Sequence, residues 1–277
     1  MIRLLAIDLD GTLFNSQHAI GPADRQALDL AREAGLGLLV ATGRGRRGVE
    51  MGLERIGLDL PHICSAGALI RLGRGAAPLL ARTFQQMDEF RHVLQFVREH
   101  GLGLVADAPE THLWFGPDTL FEKLDPLTAE SALQARTFDP ERDFDQPLLK
   151  ATLVVPPALM PEAQSLLAAR CPSLHATAAG EVYLDITARG VDKGSALALY
   201  AEKMGFARHE IAAIGDQMID IPMLQYAGFS AAMGNARREV QSAAGMVAPS
   251  NDEGGVAWFV EQVLARNQAR RRANSLS

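Results

Sequence analysis

Asp8 and Asp10 stand two positions apart at the end of a short apolar run, Ile2 to Leu9, and Gly11 and Thr12 follow them. Alternate residues of a strand face the same side, so a strand ending here turns both carboxylates into one crevice. Carboxylates at that range repel, a cost relieved when a divalent cation sits on one of them or when one keeps a proton. The same repulsion divides the roles: one group stays ionised as a nucleophile and the other carries a proton as acid and base. Gly11 permits the sharp turn that brings backbone N–H groups near an anion. Two solvated turn aspartates are the lesser alternative for the pentapeptide taken alone.

Three further groups have types suited to the same chemistry. In Ala41-Thr42-Gly43-Arg44 a hydroxyl, a glycine N–H and a helix start would cradle a phosphate. Gly43 to Gly48 also matches the glycine spacing of a dinucleotide fingerprint. That fingerprint needs a carboxylate at the end of the following strand, where this chain reads Cys64-Ser65-Ala66-Gly67, and arginines fill its variable positions. Lys193, in Gly190-Val191-Asp192-Lys193-Gly194, stands where a helix starts and can set a cation over a phosphoryl group, though exposed lysines at helix starts are common. Asp216 and Asp220, in Gly215-Asp216-Gln217-Met218-Ile219-Asp220, put carboxylates beside the first pair and would complete an all-oxygen magnesium site. In isolation Asp216 reads as a helix cap.

The elements that must position these residues alternate. Apolar strands are expected at Ile2–Leu9, Gly37–Thr42 and Pro61–Ser65. A helix opens at Gly21-Pro22, carries Ala27, Leu28, Ala31 and Ala34 on one face and stops at Gly35. The same order returns late in the chain: helix Lys193–Met204, strand Ile211–Ile214, helix Ile221–Tyr226, strand Phe229–Met233, helix Val256–Ala265. Strand–helix–strand repetition at this spacing predicts a doubly wound α/β fold with a parallel sheet, and ligands bind such sheets at the strands' carboxyl ends. All four groups fall there. Between the halves, roughly Arg82 to Thr187, the pattern changes to helices at Asp88–His100 and Pro161–Arg170 with strands at Leu102–Ala106, His112–Phe115, Ala151–Val155 and Val182–Ile186. This predicts a separate α/β layer inserted into the first. The residues from Arg270-Arg271-Arg272 onward read as a frayed basic tail.

Composition removes whole classes of function. The chain has 277 residues, 48% hydrophobic and 22% charged, with a net charge of −6. A folded protein is expected, without the basic field that gathers nucleic acid or anionic lipid. An anionic substrate must then be held by a metal ion, a few cations and backbone N–H groups. No apolar run approaches the roughly 18 residues that span a bilayer, and no leader pattern precedes the first strand. Cys64 and Cys171 lie in no metal or disulfide spacing, and the seven histidines are scattered. The expected setting is the cytoplasm.

Together the motifs resemble the haloacid dehalogenase-like hydrolases, most closely the type IIB capped phosphatases of the Cof-like subfamily. The residues that carry the resemblance are DLDGTL at Asp8–Leu13, ATGR at Ala41–Arg44, GVDKG at Gly190–Gly194 and GDQMIDIPML at Gly215–Leu224. Ala232–Ala236 and Gly254–Ala257 are similar to the family's closing motifs. The resemblance implies a Rossmann-like catalytic core from residues 1–81 and 188–277, with 82–187 as an inserted cap that selects substrate. It implies a magnesium-dependent phosphatase of a small phosphorylated metabolite: a sugar phosphate, nucleotide or phosphorylated cofactor. Asp8 would become an aspartyl phosphate and Asp10 would act as acid and base. Mg2+ would be held by Asp8, Asp216, the backbone carbonyl of Asp10 and Asp220. Leu9, Thr42, Gly43, Arg44 and Lys193 would stabilise the phosphoryl oxygens. Two positions depart from the family pattern. Ala66 stands where relatives carry Asn in an Asn-Gly-Ala turn, and Ile219 where they carry an Asn that contacts phosphate. Both departures remove polar groups, which keeps a phosphotransferase or phosphomutase, and a weakly active binding protein, as alternatives.

Overall fold

The apolar run at the start of the chain forms β1 (Leu4–Ile7), whose four residues are all buried. Helix α1 (Pro22–Glu33) starts with Pro at its first position and buries Ala27, Leu28 and Ala31. It leads to β2 (Gly37–Ala41), α2 (Arg46–Arg55) and β3 (His62–Cys64). Two strands not expected from the pattern, β4 (Leu69–Arg71) and β5 (Pro78–Ala81), then run antiparallel and extend the sheet past β3. They are short and lack a long alternating pattern, so only their pairing reveals them. The structure is a computed structural model that describes residues 1–117, 135–139, 143, 146–179 and 181–275.

A second sheet follows. Helix α3 (Met87–Glu99) precedes β6 (Gly103–Asp107), β7 (His112–Phe115), β8 (Arg136–Thr137) and β9 (Lys150–Val154). Helix α4 (Met160–Arg170), β10 (Leu174–Ala178) and β11 (Tyr183–Ala188) complete it in the order β10-β11-β9-β6-β7-β8. Strands β8 and β10 were not anticipated. Alternation along the strands separates two faces. Leu104, Ala106, Leu113, Ala151, Leu153, Leu184 and Ile186 join Phe90, Val93, Val97 and Leu167 of the two helices in one apolar cluster. The opposite face carries polar residues at one end. The segment expected as a cap, 82–187, includes 118–134, 140–142, 144, 145 and 180, which lie outside the described residues.

The chain then returns through α5 (Lys193–Met204), β12 (Ile211–Gly215), α6 (Ile221–Tyr226), β13 (Phe229–Ala232), α7 (Arg238–Ala243), β14 (Met246–Val247) and α8 (Gly255–Ser275). Among the described residues the first sheet has the order β14-β13-β12-β1-β2-β3-β4-β5. It is parallel from β14 to β3. Strand β1 lies between β2 and β12, so the sheet winds outward in both directions from it. That is the topological switch point where such sheets open a crevice.

Helix α8 runs ten residues past the expected end at Ala265, and Arg270 to Arg272 are helical rather than a frayed tail; residues 276–277 lie outside the described residues. Arginine is a good helix former, and a cation near a helix C-terminus opposes the helix dipole favourably. Asn267 fastens this stretch. Its Oδ1 accepts from the N–H of Ile2 at 2.7 Å and its Nδ2 donates to the Ile2 carbonyl at 2.8 Å, a side-chain substitute for strand pairing at the entry to β1. Asp24 of α1 accepts from the N–H of Ala257 at 2.7 Å and so caps α8 from a neighbouring helix. Among the described residues no helix is long and apolar enough to cross a membrane.

Replacing Asn267 by Leu leaves the buried N–H and carbonyl of Ile2 without partners. The expected loss is about 1–3 kcal/mol of stability, read from urea denaturation. A loss within error of zero would show that the clamp on β1 is not needed.

Candidate active site

The carboxyl ends of β1 and β12 meet at a turn that glycine makes possible. Gly11 has φ +81°, and a Cβ there would stand 2.4 Å from Asp216 Oδ2, so both its backbone and its lack of side chain are required. The turn is held by Phe14 N–H donating to the Leu9 carbonyl at 2.7 Å and Leu13 N–H donating to the Asp8 carbonyl at 3.2 Å. Asn235 Nδ2 donates to the Gly11 carbonyl at 2.9 Å from the opposite side. Asp8 itself is buried and its N–H donates to the Ile214 carbonyl of β12.

Lys193 enters from the first turn of α5. Asp192 and Ser195 form a reciprocal cap, with the Asp192 side chain accepting from Ser195 N–H at 2.7 Å and Ser195 Oγ accepting from Asp192 N–H at 3.1 Å. This fixes Lys193 at the first helical position, where the helix dipole disfavours a cation. Two carboxylates override that: the ammonium lies 2.6 Å from Asp8 Oδ1 and 2.5 Å from Asp220 Oδ1, fully buried. Asp220 Oδ2 accepts from the N–H groups of Asp216 and Gln217, at 3.0 and 2.9 Å. Asp216 is oriented by Thr12 Oγ1 at 2.9 Å and Gln217 Nε2 at 3.0 Å.

Oxygens of Asp8, Asp216 and Asp220 all lie within 4.8 Å of one another. Three buried carboxylates face one ammonium, so two negative charges stay uncompensated when all are ionised. Burial, then repulsion from Asp220, Asp216 and Asp10, holds the Asp8 carboxyl well above its usual range despite the attraction of Lys193. Burial and Asp220 likewise push Asp216 up to about 6. Burial lowers the Lys193 pKa, yet Asp220 and Asp8 outweigh it and hold the ammonium charged. An all-oxygen set carrying excess negative charge suits a hard divalent cation, and these residues fit magnesium.

Most of the residues singled out in the sequence gather here. Thr42 is buried at the end of β2, its Oγ1 accepting from Arg44 N–H at 3.1 Å. Leu9 and Gly43 lie on the two loops flanking the crevice. Arg44, expected on the phosphate, is paired here with Asp10: Nε and Nη2 reach Asp10 Oδ2 and Oδ1 at 2.7 and 2.6 Å. The fork matches a carboxylate with two parallel bonds, and the guanidinium also lies over the Phe14 ring. The Asp10 side chain is accordingly absent from the carboxylate cluster. Thr12, Gln217 and Asn235 received no role from their spacing. All three lie inside quoted motifs, which was the signal available.

The two departures also have places. Ala66 takes φ 55° and ψ 27°, a left-handed conformation in which Asn is favoured over Ala. Ile219 Cδ1 lies 3.1 Å from where a Cβ on Gly43 would stand, so this side chain does sit against the loop after β2.

The sequence pattern of the haloacid dehalogenase-like hydrolases matches residues 5–260. The chain is 26% identical over 302 residues to a Bacillus subtilis 5-amino-6-(5-phospho-D-ribitylamino)uracil phosphatase, YwtE, covering 97% of this chain and 100% of the relative. It is 28% identical over 274 residues to the Escherichia coli pyridoxal phosphate phosphatase YbhA, covering 93% and 97%. A solved phosphatase of the haloalkanoate superfamily from Bacteroides thetaiotaomicron superposes with a TM-score of 0.80 at 25% identity, over 95% of each chain. A subclass IIB sugar phosphatase shares the fold at a TM-score of 0.83 and 22% identity, over 94% of this chain and 98% of that one.

Carboxylates with raised folded pKa values stabilise least where they are ionised. For Asp216 that contribution is full below the usual 3.8 and lost as pH rises through about 6. Added magnesium reverses that loss, so its stabilisation should be small at about pH 5 and larger at about pH 7.5. Thermal melts with and without magnesium at both pH values test this. A melting increment that is the same at both, or that survives in Asp216→Asn, would place the metal elsewhere.

Proposed function

Since the chain belongs to the haloacid dehalogenase-like hydrolases, we propose that it is a phosphatase of small phosphorylated metabolites, working with magnesium and a covalent aspartyl phosphate on Asp8. Phosphatase is the activity that its relatives carry in their names. The observation that carries the reading is the buried Lys193 ammonium on Asp8, with Asp216 and Asp220 completing the carboxylate cluster. Magnesium bound there would neutralise the charge that spreads over the phosphoryl oxygens in the transition state.

This chain's own residues do the rest. Asp8 Oδ attacks phosphorus as the ester P–O bond breaks, and Asp10 gives its proton to the departing alkoxide oxygen. Asp10 then takes a proton from the water that attacks the aspartyl phosphate, which releases inorganic phosphate and restores Asp8. Arg44 orients Asp10 for both steps through its paired bonds. Lys193, Thr42 and the N–H groups of Leu9 and Gly43 receive the phosphoryl oxygens, and the helix start at α2 favours the anion. The second sheet, lying over these loops, acts as the cap of the 82–187 segment on a core of 1–81 and 188–277. It excludes water and meets the leaving group. Sugar phosphates, nucleotides and phosphorylated cofactors are the substrate range, and the buried free thiols of Cys64 and Cys171 support a cytoplasmic setting.

Ala66 and Ile219 favour a second reading, a protein that binds phosphate esters and turns them over weakly. The two readings separate at Ile219. Ile219→Asn adds a donor beside Gly43, so inhibition by inorganic phosphate should tighten and kcat/KM on a generic ester should rise. A hydrogen bond to a charged group is worth about 1.5–3 kcal/mol, on the order of 10- to 100-fold in binding. Equal inhibition constants would remove Ile219 from the phosphate loop. Asp8→Asn tests the chemistry: p-nitrophenyl phosphate turnover should vanish while melting at neutral pH holds or rises, because a buried repelled charge is lost. Wild-type turnover in that variant would end the nucleophile assignment.

A further inference from the structure

The face of the second sheet turned away from α3 and α4 carries a polar row. Backbone register aligns Thr187 with Lys150, Lys150 with Asp107 and Asp107 with His112, across β11, β9, β6 and β7. All four are buried. Polar residues at matched positions on four strands are not a core pattern, since the other face of the same strands is wholly apolar. The row abuts the loops of the first sheet. Asp107 Oδ2 accepts from Ser65 Oγ at 2.9 Å, and Asp107 Oδ1 lies 2.8 Å from His112 Nδ1. A Cβ on Gly45 would stand 2.4 Å from His112 Cε1, so these two side chains are seated directly on the first sheet's loop.

One strand over, contacts reach the phosphate loop. Lys150 Nζ donates to the Gly43 carbonyl at 2.7 Å and lies 3.3 Å from Asp185 Oδ1, which also accepts from Thr152 Oγ1 at 2.6 Å. Both bonds use Oδ1 of Asp185. Its Oδ2 lies 3.8 Å from where a Cβ on Gly43 would stand, on the side also touched by Ile219. An ammonium has three donors, of which these contacts use two. Burial would lower the Lys150 pKa, but Asp185 and Asp107 outweigh it and keep the charge. Beyond this group the same face turns apolar, with Val105, Trp114, Val154 and Tyr183 packed together.

Resting on the phosphatase reading above, we propose that Lys150, Asp185 and Thr152 form the leaving-group subsite and select phosphomonoesters with hydroxyls on the carbons nearest the ester oxygen, that is, polyol and sugar phosphates. A hydroxyl both gives and accepts, so adjacent hydroxyls pair with a carboxylate and an ammonium held side by side. A leaving group without hydroxyls strips water from both charges and returns nothing, which is how a hydrogen-bonding site rejects analogues. Lys150 shares the fastening of the two sheets with Asp107, whose carboxylate takes the Ser65 hydroxyl, so the seam does not rest on Lys150 alone.

The test compares kcat/KM for sorbitol 6-phosphate and p-nitrophenyl phosphate, with magnesium, in the full chain and in Lys150→Met and Asp185→Asn. The wild type should prefer the sorbitol ester, and the ratio of the two constants should fall roughly tenfold or more in each variant, the scale of one charged hydrogen bond. If the residues only fasten the sheets, both substrates lose rate together; an unchanged ratio overturns the proposal, as does a wild type without the preference. Calorimetry in the Asp8→Asn background gives a readout free of turnover. Sorbitol 6-phosphate should bind on the order of tenfold more tightly than inorganic phosphate, and adding Lys150→Met should erase the margin. Equal affinities overturn the subsite. A wild type that turns over neither ester but keeps the binding margin supports the subsite and removes the phosphatase reading.

Discussion

Everything in this molecule answers to one electrostatic constraint: three buried carboxylates share one ammonium. Asp8, Asp216 and Asp220 would repel one another out of any interior that lacked Lys193, and Lys193 would not stay charged at a helix start without Asp8 and Asp220. The surrounding structure supplies what such a cluster needs. Every carboxylate has a fixed donor, from Thr12, Gln217, backbone N–H groups or the ammonium. The strands beneath are fully buried, which keeps bulk water from relaxing the charges. What remains unbalanced is negative charge, and that is the property a divalent cation and an electrophilic phosphoryl group exploit.

A second constraint is the character of the seam between the two sheets. It is made of Asp107, His112, Ser65, Lys150 and the Gly43 carbonyl, together with Arg46, which reaches the Pro109 carbonyl at 3.0 Å. The groups named are ones that water solvates well. An apolar seam of the same extent would resist separation by the hydrophobic cost of exposing it, whereas a polar one exchanges protein partners for water at little net cost. On the proposed cap reading, a charged ester passing between the sheets would be served by the second kind of contact.

The sequence made the core of this arrangement legible because strand ends in a doubly wound sheet converge. Asp8, Thr42 and Asp216 follow such ends directly, while Lys193 and Asp220 come from the short helical starts beside them. The pairing of Arg44 with Asp10 was not named, because nothing local in a chain tells a guanidinium which carboxylate will meet it. Strands β4, β5, β8, β10 and β14 were missed since each is short or draws its order from neighbours rather than from its own alternation. The polar row of Lys150, Asp107 and His112 was beyond reach for a different reason. It exists only in the register of four strands, and a single residue's slip in any of them would have scattered it.

The distance along the chain between Lys193 and Asp8, 185 residues, has a consequence for how the molecule assembles. Strand β1 can pair with β2 almost at once, but β12, which brings Asp216, joins it only after the second sheet and α5 have been passed. Contacts of such long sequence separation form slowly, because loop closure must precede any reward. The delay protects the chain. A nascent first half carries Asp8 and Asp10 at a solvated strand end, where their repulsion is screened by water and ions. The repelling carboxylates are desolvated only in the step that also delivers the ammonium, since Lys193 and Asp216 lie on the same late segment. Charge and countercharge arrive together, so no partly folded form has to hold the one without the other.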